Sequence, residues 1–248
     1  MSPKVSIIIP CYNSEKWIEE CVMSALNQSY ERTEVIVIDN ESKDESFEIL
    51  KKIKKSNDEL LLSTAENIYP NCWDEARAKG YEMMTGEYMT VIGSDDYIEQ
   101  DYIKNCINIV MKAPDRIKAL QSPAKGFTIK NGVKVETGKL QHIYKSKKQF
   151  MKESMQRCPV NSPAVFYNSS LYTDGFLKTY PEKYGGAADY DLYCRLIDND
   201  IFIYPYPEWI GFNYRWHEEQ ATWKVHKEGV NYDKMIQDYW KEKWKDRL

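Results

Sequence analysis

The chain has 248 residues, 42% apolar and 29% charged, the composition of an ordinary soluble globular protein with room for one large domain or two small ones. Its formal net charge of −4 argues against a mainly electrostatic nucleic-acid binder. The six cysteines, at 11, 21, 72, 106, 158 and 194, include no Cys-x-x-Cys pair and no histidine at zinc-ligand spacing, and read as reduced thiols.

"KVSIIIP" enters a strand at once instead of forming a cleavable signal. No apolar run approaches the about 20 residues that span a bilayer, so a cytoplasmic location is expected. Val5 to Ile9, closed by Pro10, reads as a buried parallel strand. Trp17, Ile18, Cys21, Val22, Ala25 and Leu26 then recur at helical spacing. Glu34 to Ile38 reads as a second strand, closing on Asp39. "SKDE" has the spacing of a capping box, Ser42 with Glu45, and predicts the start of a helix carrying Phe47, Leu50 and Ile53. Leu60 to Leu62 is a third strand, residues 72 to 84 a helix, and Tyr88 to Ile92 a fourth strand.

This alternation predicts an α/β fold with a mostly parallel central sheet flanked by helices. Ligands in such sheets bind at the carboxyl ends of the strands. Pro10 to Asn13, Asp39 and the pair Asp95–Asp96 all fall at such ends. The second half is less regular. Asn131-Gly132 in "FTIKNGVKVE" predicts a β-hairpin insertion. Tyr190 to Ile197 reads as a helix, Ile201 to Tyr204 as a strand, and residues from Tyr232 onward as a C-terminal helix with one apolar face.

Adjacent aspartates at a strand end are hard oxygen ligands that suit Mg²⁺ or Mn²⁺, although turns are rich in aspartate for simpler reasons. The surrounding residues carry more information. Pro10, Tyr12, Asn13, Glu15, Ala25-Leu26, Gln28, Asp39, Ser42 and Asp44 in the first block, then Ala76-Arg77, Gly80, Gly86-Glu87-Tyr88 and Asp95-Asp96, resemble the opening of a family 2 glycosyltransferase of the GT-A fold. The likeness covers roughly the first hundred residues and is traceable, more loosely, to about residue 222. It implies a GT-A domain over 1–222, with a nucleotide-binding half at 1–98 and an acceptor-binding half at 99–222, followed by a helical tail at 223–248.

The resemblance further implies an inverting transfer of a sugar from a nucleoside diphosphate, with a UDP-sugar favoured, to the hydroxyl of a carbohydrate or lipid-linked acceptor. Pro10, Tyr12, Asn13, Glu15, Asp39, Arg77, Ser94 and Asp95 would contact the nucleotide, with Tyr12 on the base and Asp39 accepting from the uracil N–H. A solvated helix face is the simpler reading of Arg77. Asp95 and His217 would hold Mn²⁺ or Mg²⁺, and Asp189 would be the general base. Gly175, Gly185, Gly186, Asp96 and Arg215 would line the sugar or acceptor side, and Asp191 would cap its helix.

Two positions depart from the family pattern: Gly93 stands where the metal motif has its first carboxylate, and Ala188 stands where a glutamate precedes the base. They keep open a degenerate nucleotide- or glycan-binding module. A sugar-phosphate nucleotidyltransferase is a further alternative, but "PCYNSEKW" lacks the glycine-rich phosphate loop it needs. Trp73, Trp209 and Trp216 are either sugar platforms or core residues. The aromatic stripe of the tail either packs on its own domain or a second subunit, or rests peripherally on a membrane carrying a lipid-linked acceptor.

Overall fold

The computed structural model describes residues 2–68, 72–220 and 229–248. Val5–Cys11 (β1), Thr33–Asp39 (β2), Leu60–Thr64 (β3) and Tyr88–Val91 (β4) lie parallel in one sheet. Every residue of β1 except Pro10 is buried, because helices cover both faces. Ile18–Leu26 (α1) and Ser46–Ser56 (α2) pack their apolar stripes on one face, where Cys21, Val22, Leu50 and Ile53 join the core. Cys72–Met83 (α3) covers the opposite face. There Gly80 fits so closely over Ile8 that an added Cβ would lie 2.4 Å from its Cγ2.

The sheet continues into the second half of the chain. Tyr97–Ile98 (β5) and the helix Tyr102–Val110 (α4) lead to Ala119–Gln121 (β6). Val165–Asn168 (β9) inserts antiparallel between β4 and β6, and Ile203–Pro205 (β10) closes the edge beside β6. The strand order is β10-β6-β9-β4-β1-β2-β3, so the two expected halves share one seven-stranded sheet.

A second, four-stranded sheet runs in the order β5, Phe212–Arg215 (β11), Ala124–Lys130 (β7), Val133–Leu140 (β8). Strands β7 and β8 form the hairpin that Asn131-Gly132 predicts, with both turn residues at positive φ, 52° and 77°. Strand β11 pairs with β5 on one side and β7 on the other. This pairing carries the chain after Arg215 across the end of β4.

Lys147–Glu153 (α5), the short helices Ser170–Thr173 (α6) and Pro181–Tyr184 (α7), and Ala188–Asp198 (α8) fill the remaining face. The C-terminal helix Tyr232–Lys243 (α9) is no loose tail. Ile236, Trp240 and Trp244 are buried in the core that also holds Tyr190 and Ile197. Trp240 Nε1 donates to Asp191 Oδ1 at 3.0 Å and Trp244 Nε1 to Asp198 Oδ1 at 2.9 Å. Asp191, expected as a helix cap, is therefore an anchor for α9; Arg195 Nε donates to its other oxygen at 2.8 Å.

The capping box at Ser42 and Glu45 does not form; α2 starts three residues later than that box would place it, at Ser46. The amide of Ser42 donates to Asp39 Oδ2 at 3.1 Å, and that of Ser46 to Asp44 Oδ1 at 3.0 Å. Of the two donors that the box would have used, the Ser42 amide is thus satisfied by Asp39 and the Glu45 amide by Glu15 Oε2.

Candidate active site

A cavity of about 260 Å³ opens at the carboxyl ends of β1 and β4. Pro10, Arg77, Asp95, Asp96, Gly186 and Asp189 line it together, although they come from four separated stretches of sequence. Tyr81, Ser162, Tyr167 and Tyr193 are also among its walls.

Asp95 and Asp96 leave β4 in a tight turn in which the Asp96 amide donates to the Gly93 carbonyl at 3.0 Å. Their side chains diverge. Asp95 Oδ2 lies 2.8 Å from His217 Nε2, while the buried Asp96 accepts the Arg215 amide on Oδ1 at 2.8 Å. Burial, and then the neighbouring Asp95 charge, raise the Asp96 carboxyl well above the usual carboxylate range. Gly93 explains how two carboxylates fit here. A Cβ at that position would lie 2.7 Å from Asp95 Oδ1 and 3.2 Å from Asp96 Oδ2. The missing first carboxylate of the motif is thus replaced by space that the following two occupy.

Asp189 sits in the first turn of α8, with the Tyr190 amide donating to its Oδ1 at 2.8 Å. Burial raises its carboxyl above the ordinary range, against a hydrogen bond from Ser162 and the Arg77 charge, which pull it down. Tyr193 Oη in turn donates to Ser162 Oγ at 2.9 Å. Ser162 was not singled out from the sequence, because a lone Ser-Pro in an irregular segment carries no motif. Ala188 is buried in the core, where the carboxylate of a glutamate would start from a site cut off from water.

Arg77 is not on a solvated helix face. It donates through Nη2 to Asp74 and to Thr179 Oγ1, while its buried Nε has no hydrogen-bond partner among the described residues. It also borders a second cavity of about 490 Å³, lined by Gly175, Tyr172 and Thr179. Asp39 Oδ1 is likewise buried without a partner among the described residues, at the end of β2. Tyr12, one residue past Cys11, the sheet neighbour of Asp39, is exposed.

Other expected contacts lie elsewhere. Asn13 and Glu15 brace two loops. Asn13 N donates to Ser42 Oγ at 3.0 Å and its Oδ1 accepts Lys43 N at 2.7 Å, while Glu15 Oε2 accepts Glu45 N at 2.9 Å. Ser94 Oγ is 2.6 Å from Ser14 Oγ, tying β4 to the same loop. The Arg215 guanidinium is spent on the protein: Nε donates to the Asp95 carbonyl at 2.7 Å, Nη2 pairs with Glu20, and the group lies over the Phe127 ring. Gly185, at φ 51°, turns the chain beside α9, and an added Cβ would lie 2.7 Å from the Tyr232 ring. Trp209 packs on Tyr102 and Trp216 on Tyr214, both as partly buried rings; the Trp73 side chain lies outside the described residues.

The Asp95–His217 pair suits a divalent ion of the manganese class, one hard oxygen from a residue that lines the cavity and one imidazole nitrogen beside it. No cluster of three His, Cys, Asp or Glu that could hold a metal occurs among the described residues, so the other positions would fall to substrate oxygens or water.

The profile of glycosyl transferase family 2 matches residues 6–175, more than half of the chain. The chain belongs to this family. An uncharacterized glycosyltransferase of Haemophilus influenzae is 38% identical over 111 residues, 44% of this chain and 43% of that protein. The chain spans less than half the length of the first three curated relatives it matches. Among solved structures, Staphylococcus aureus TarS 1-349 in complex with UDP superposes with a TM-score of 0.69 at 21% identity, covering 98% of this chain and 71% of that one. The mannosyltransferase PcManGT of Pyrobaculum calidifontis, in complex with GDP-Man and Mn²⁺, gives 0.63 at 15% identity, covering 96% and 69%. These likenesses establish the GT-A fold of a family 2 glycosyltransferase domain. No helix among the described residues is long and apolar enough to cross a membrane.

Proposed function

We propose that this domain is an inverting, metal-assisted glycosyltransferase that moves a sugar from a nucleoside diphosphate, with UDP-sugars favoured, to an acceptor hydroxyl. The observation that carries the reading is one cavity bordered by both Asp95, with its His217 partner, and Asp189. Asp95 and His217 would hold the divalent ion, which when bound supplies Lewis acidity worth several kcal/mol to a departing diphosphate. The fold neighbour crystallised with Mn²⁺ and the one crystallised with UDP support this choice of ion and nucleotide.

The remaining work falls to the chain's own groups. Asp39 Oδ1 accepts the base N–H, and Tyr12 offers a face for stacking. Arg77 Nε, left over from its pairing with Asp74 and Thr179, donates to the substrate. Asp189 takes the acceptor hydroxyl proton on its carboxylate as that oxygen attacks the anomeric carbon. Its raised pKa makes it a stronger base than a solvated aspartate. A single base and direct displacement invert the anomeric centre. Gly93 favours a working site over a degenerate module, since the space it leaves is filled by both following carboxylates.

The test is incubation with Mn²⁺, a panel of UDP-sugars and mixed glycan acceptors, with the product anomer read by NMR. Mn²⁺-dependent UDP release and an inverted product are expected. Nucleotide binding without turnover of any activated sugar would leave the binding-module reading instead, and a retained anomer would refute the direct displacement.

A further inference from the structure

We infer that Trp17 is a positioning residue for His217: its indole fixes the imidazole plane so that Nε2 stays aimed at Asp95. The inference rests on the metal reading above. His217 lies two residues beyond the end of β11, on a segment that has left the sheet. A ligating imidazole usually owes its orientation to a second partner. Here one such partner is a ring face. The Trp17 and His217 centroids are 4.0 Å apart with 36° between the planes.

Trp17 is itself held by rigid structure at the start of α1. Its amide donates to the Ser14 carbonyl at 2.9 Å, and Ser14 Oγ meets Ser94 Oγ at 2.6 Å in the turn that carries Asp95. One short stretch therefore supports both members of the metal pair, Asp95 through Ser14–Ser94 and His217 through Trp17. From outside, Lys16 Nζ lies 5.6 Å from the centre of the Trp17 ring and pairs with Glu219 at 2.6 Å, two residues past His217. The histidine segment is thus clipped to α1 by a stack and an ion pair.

The decisive experiment is Mn²⁺ titration of the full chain followed by EPR, without substrate, for wild type, Trp17→Phe, Trp17→Leu, His217→Ala and Asp95→Ala. Loss of a supporting partner weakens metal binding about 10-fold to 100-fold, so Trp17→Leu should lose about 10-fold while Trp17→Phe, which keeps a ring face, stays near wild type. Equal affinity for Trp17→Leu and wild type, or equal loss in Trp17→Phe and Trp17→Leu with unchanged melting curves, overturns the inference. If Asp95→Ala and His217→Ala bind Mn²⁺ as wild type does, the metal reading fails instead. The stack is then judged in the wild-type protein without metal. The chain has three histidines, and the Cε1 proton of His217 should carry a ring-current shift in the wild-type NMR spectrum. Its absence overturns the positioning role by itself.

Discussion

Asp95 Oδ2 and His217 Nε2 lie 2.8 Å apart although 122 residues separate them in the chain. The contact exists because β11 pairs with β5, directly after the aspartate turn, and because Asp96 accepts the Arg215 amide. The turn is thus tied to the histidine segment at two consecutive points.

Asp189→Asn should lower kcat by about 10²-fold to 10⁴-fold with little change in donor KM, the size of effect of removing a general base. UDP release at saturating donor measures it. The wild-type kcat should fall about tenfold per pH unit below the Asp189 pKa, and this limb should lie above the ordinary carboxylate range because burial raises that group.

The same substitution should raise stability near neutral pH. A carboxyl whose folded pKa is raised contributes its full stabilisation below the unfolded pKa and loses it as pH rises through the folded pKa. Asparagine has no such loss. Melting curves of wild type and variant should coincide at acid pH and separate, with the variant higher, above the raised pKa. A lower-melting variant at neutral pH would contradict the buried-carboxylate account.

Gly93→Asp would restore the motif residue of the family at a cost. Its Cβ would sit 2.7 Å from Asp95 Oδ1, so both carboxylates must shift. Overpacking of this kind destabilises by about 1–3 kcal/mol. Urea unfolding should show that loss together with weaker Mn²⁺ binding. A gain in metal affinity would mean that the space around Gly93 is not needed.

Asp39→Ala should weaken UDP binding by roughly 10-fold or more, the equivalent of a charge-assisted hydrogen bond worth about 1.5–3 kcal/mol. Calorimetry with UDP reads the change. The buried Oδ1 has no partner among the described residues, but the substitution also takes the Oδ2 acceptor from the Ser42 amide, so melting curves of the variant accompany the titration. Unchanged UDP affinity would place the base elsewhere.

Trp240→Ala should destabilise by about 3–5 kcal/mol in urea. It opens a cavity under α9 and leaves Asp191 without its indole donor. Since Ile236, Trp240 and Trp244 face the core, while Met235 and Tyr239 stay exposed, the wild-type chain should show no sedimentation with liposomes that depends on Trp240 or Trp244.

The sequence by itself determined the parallel half of the sheet. β1, β2 and β4 are apolar runs in a regular strand–helix alternation, and polar residues at or just past their ends, Asn13, Asp39 and Asp95, mark the binding edge. The hairpin at Asn131-Gly132 was equally legible, because its turn chemistry is local. Strands β6, β9 and β11, of three or four residues, are not legible because, unlike the equally short β4, they lie outside the strand–helix alternation that would mark them. Tertiary structure alone decided their pairing, and with it which residues meet. It brought Ser162 to Asp189 and Trp17 to His217, and it turned α9 inward. It also spent Arg215, Asn13 and Glu15 on bracing loops. The physical reason is range. Hydrophobic period and turn preference act between near neighbours, whereas a side chain's final partner is set by which distant backbone the sheet delivers to it.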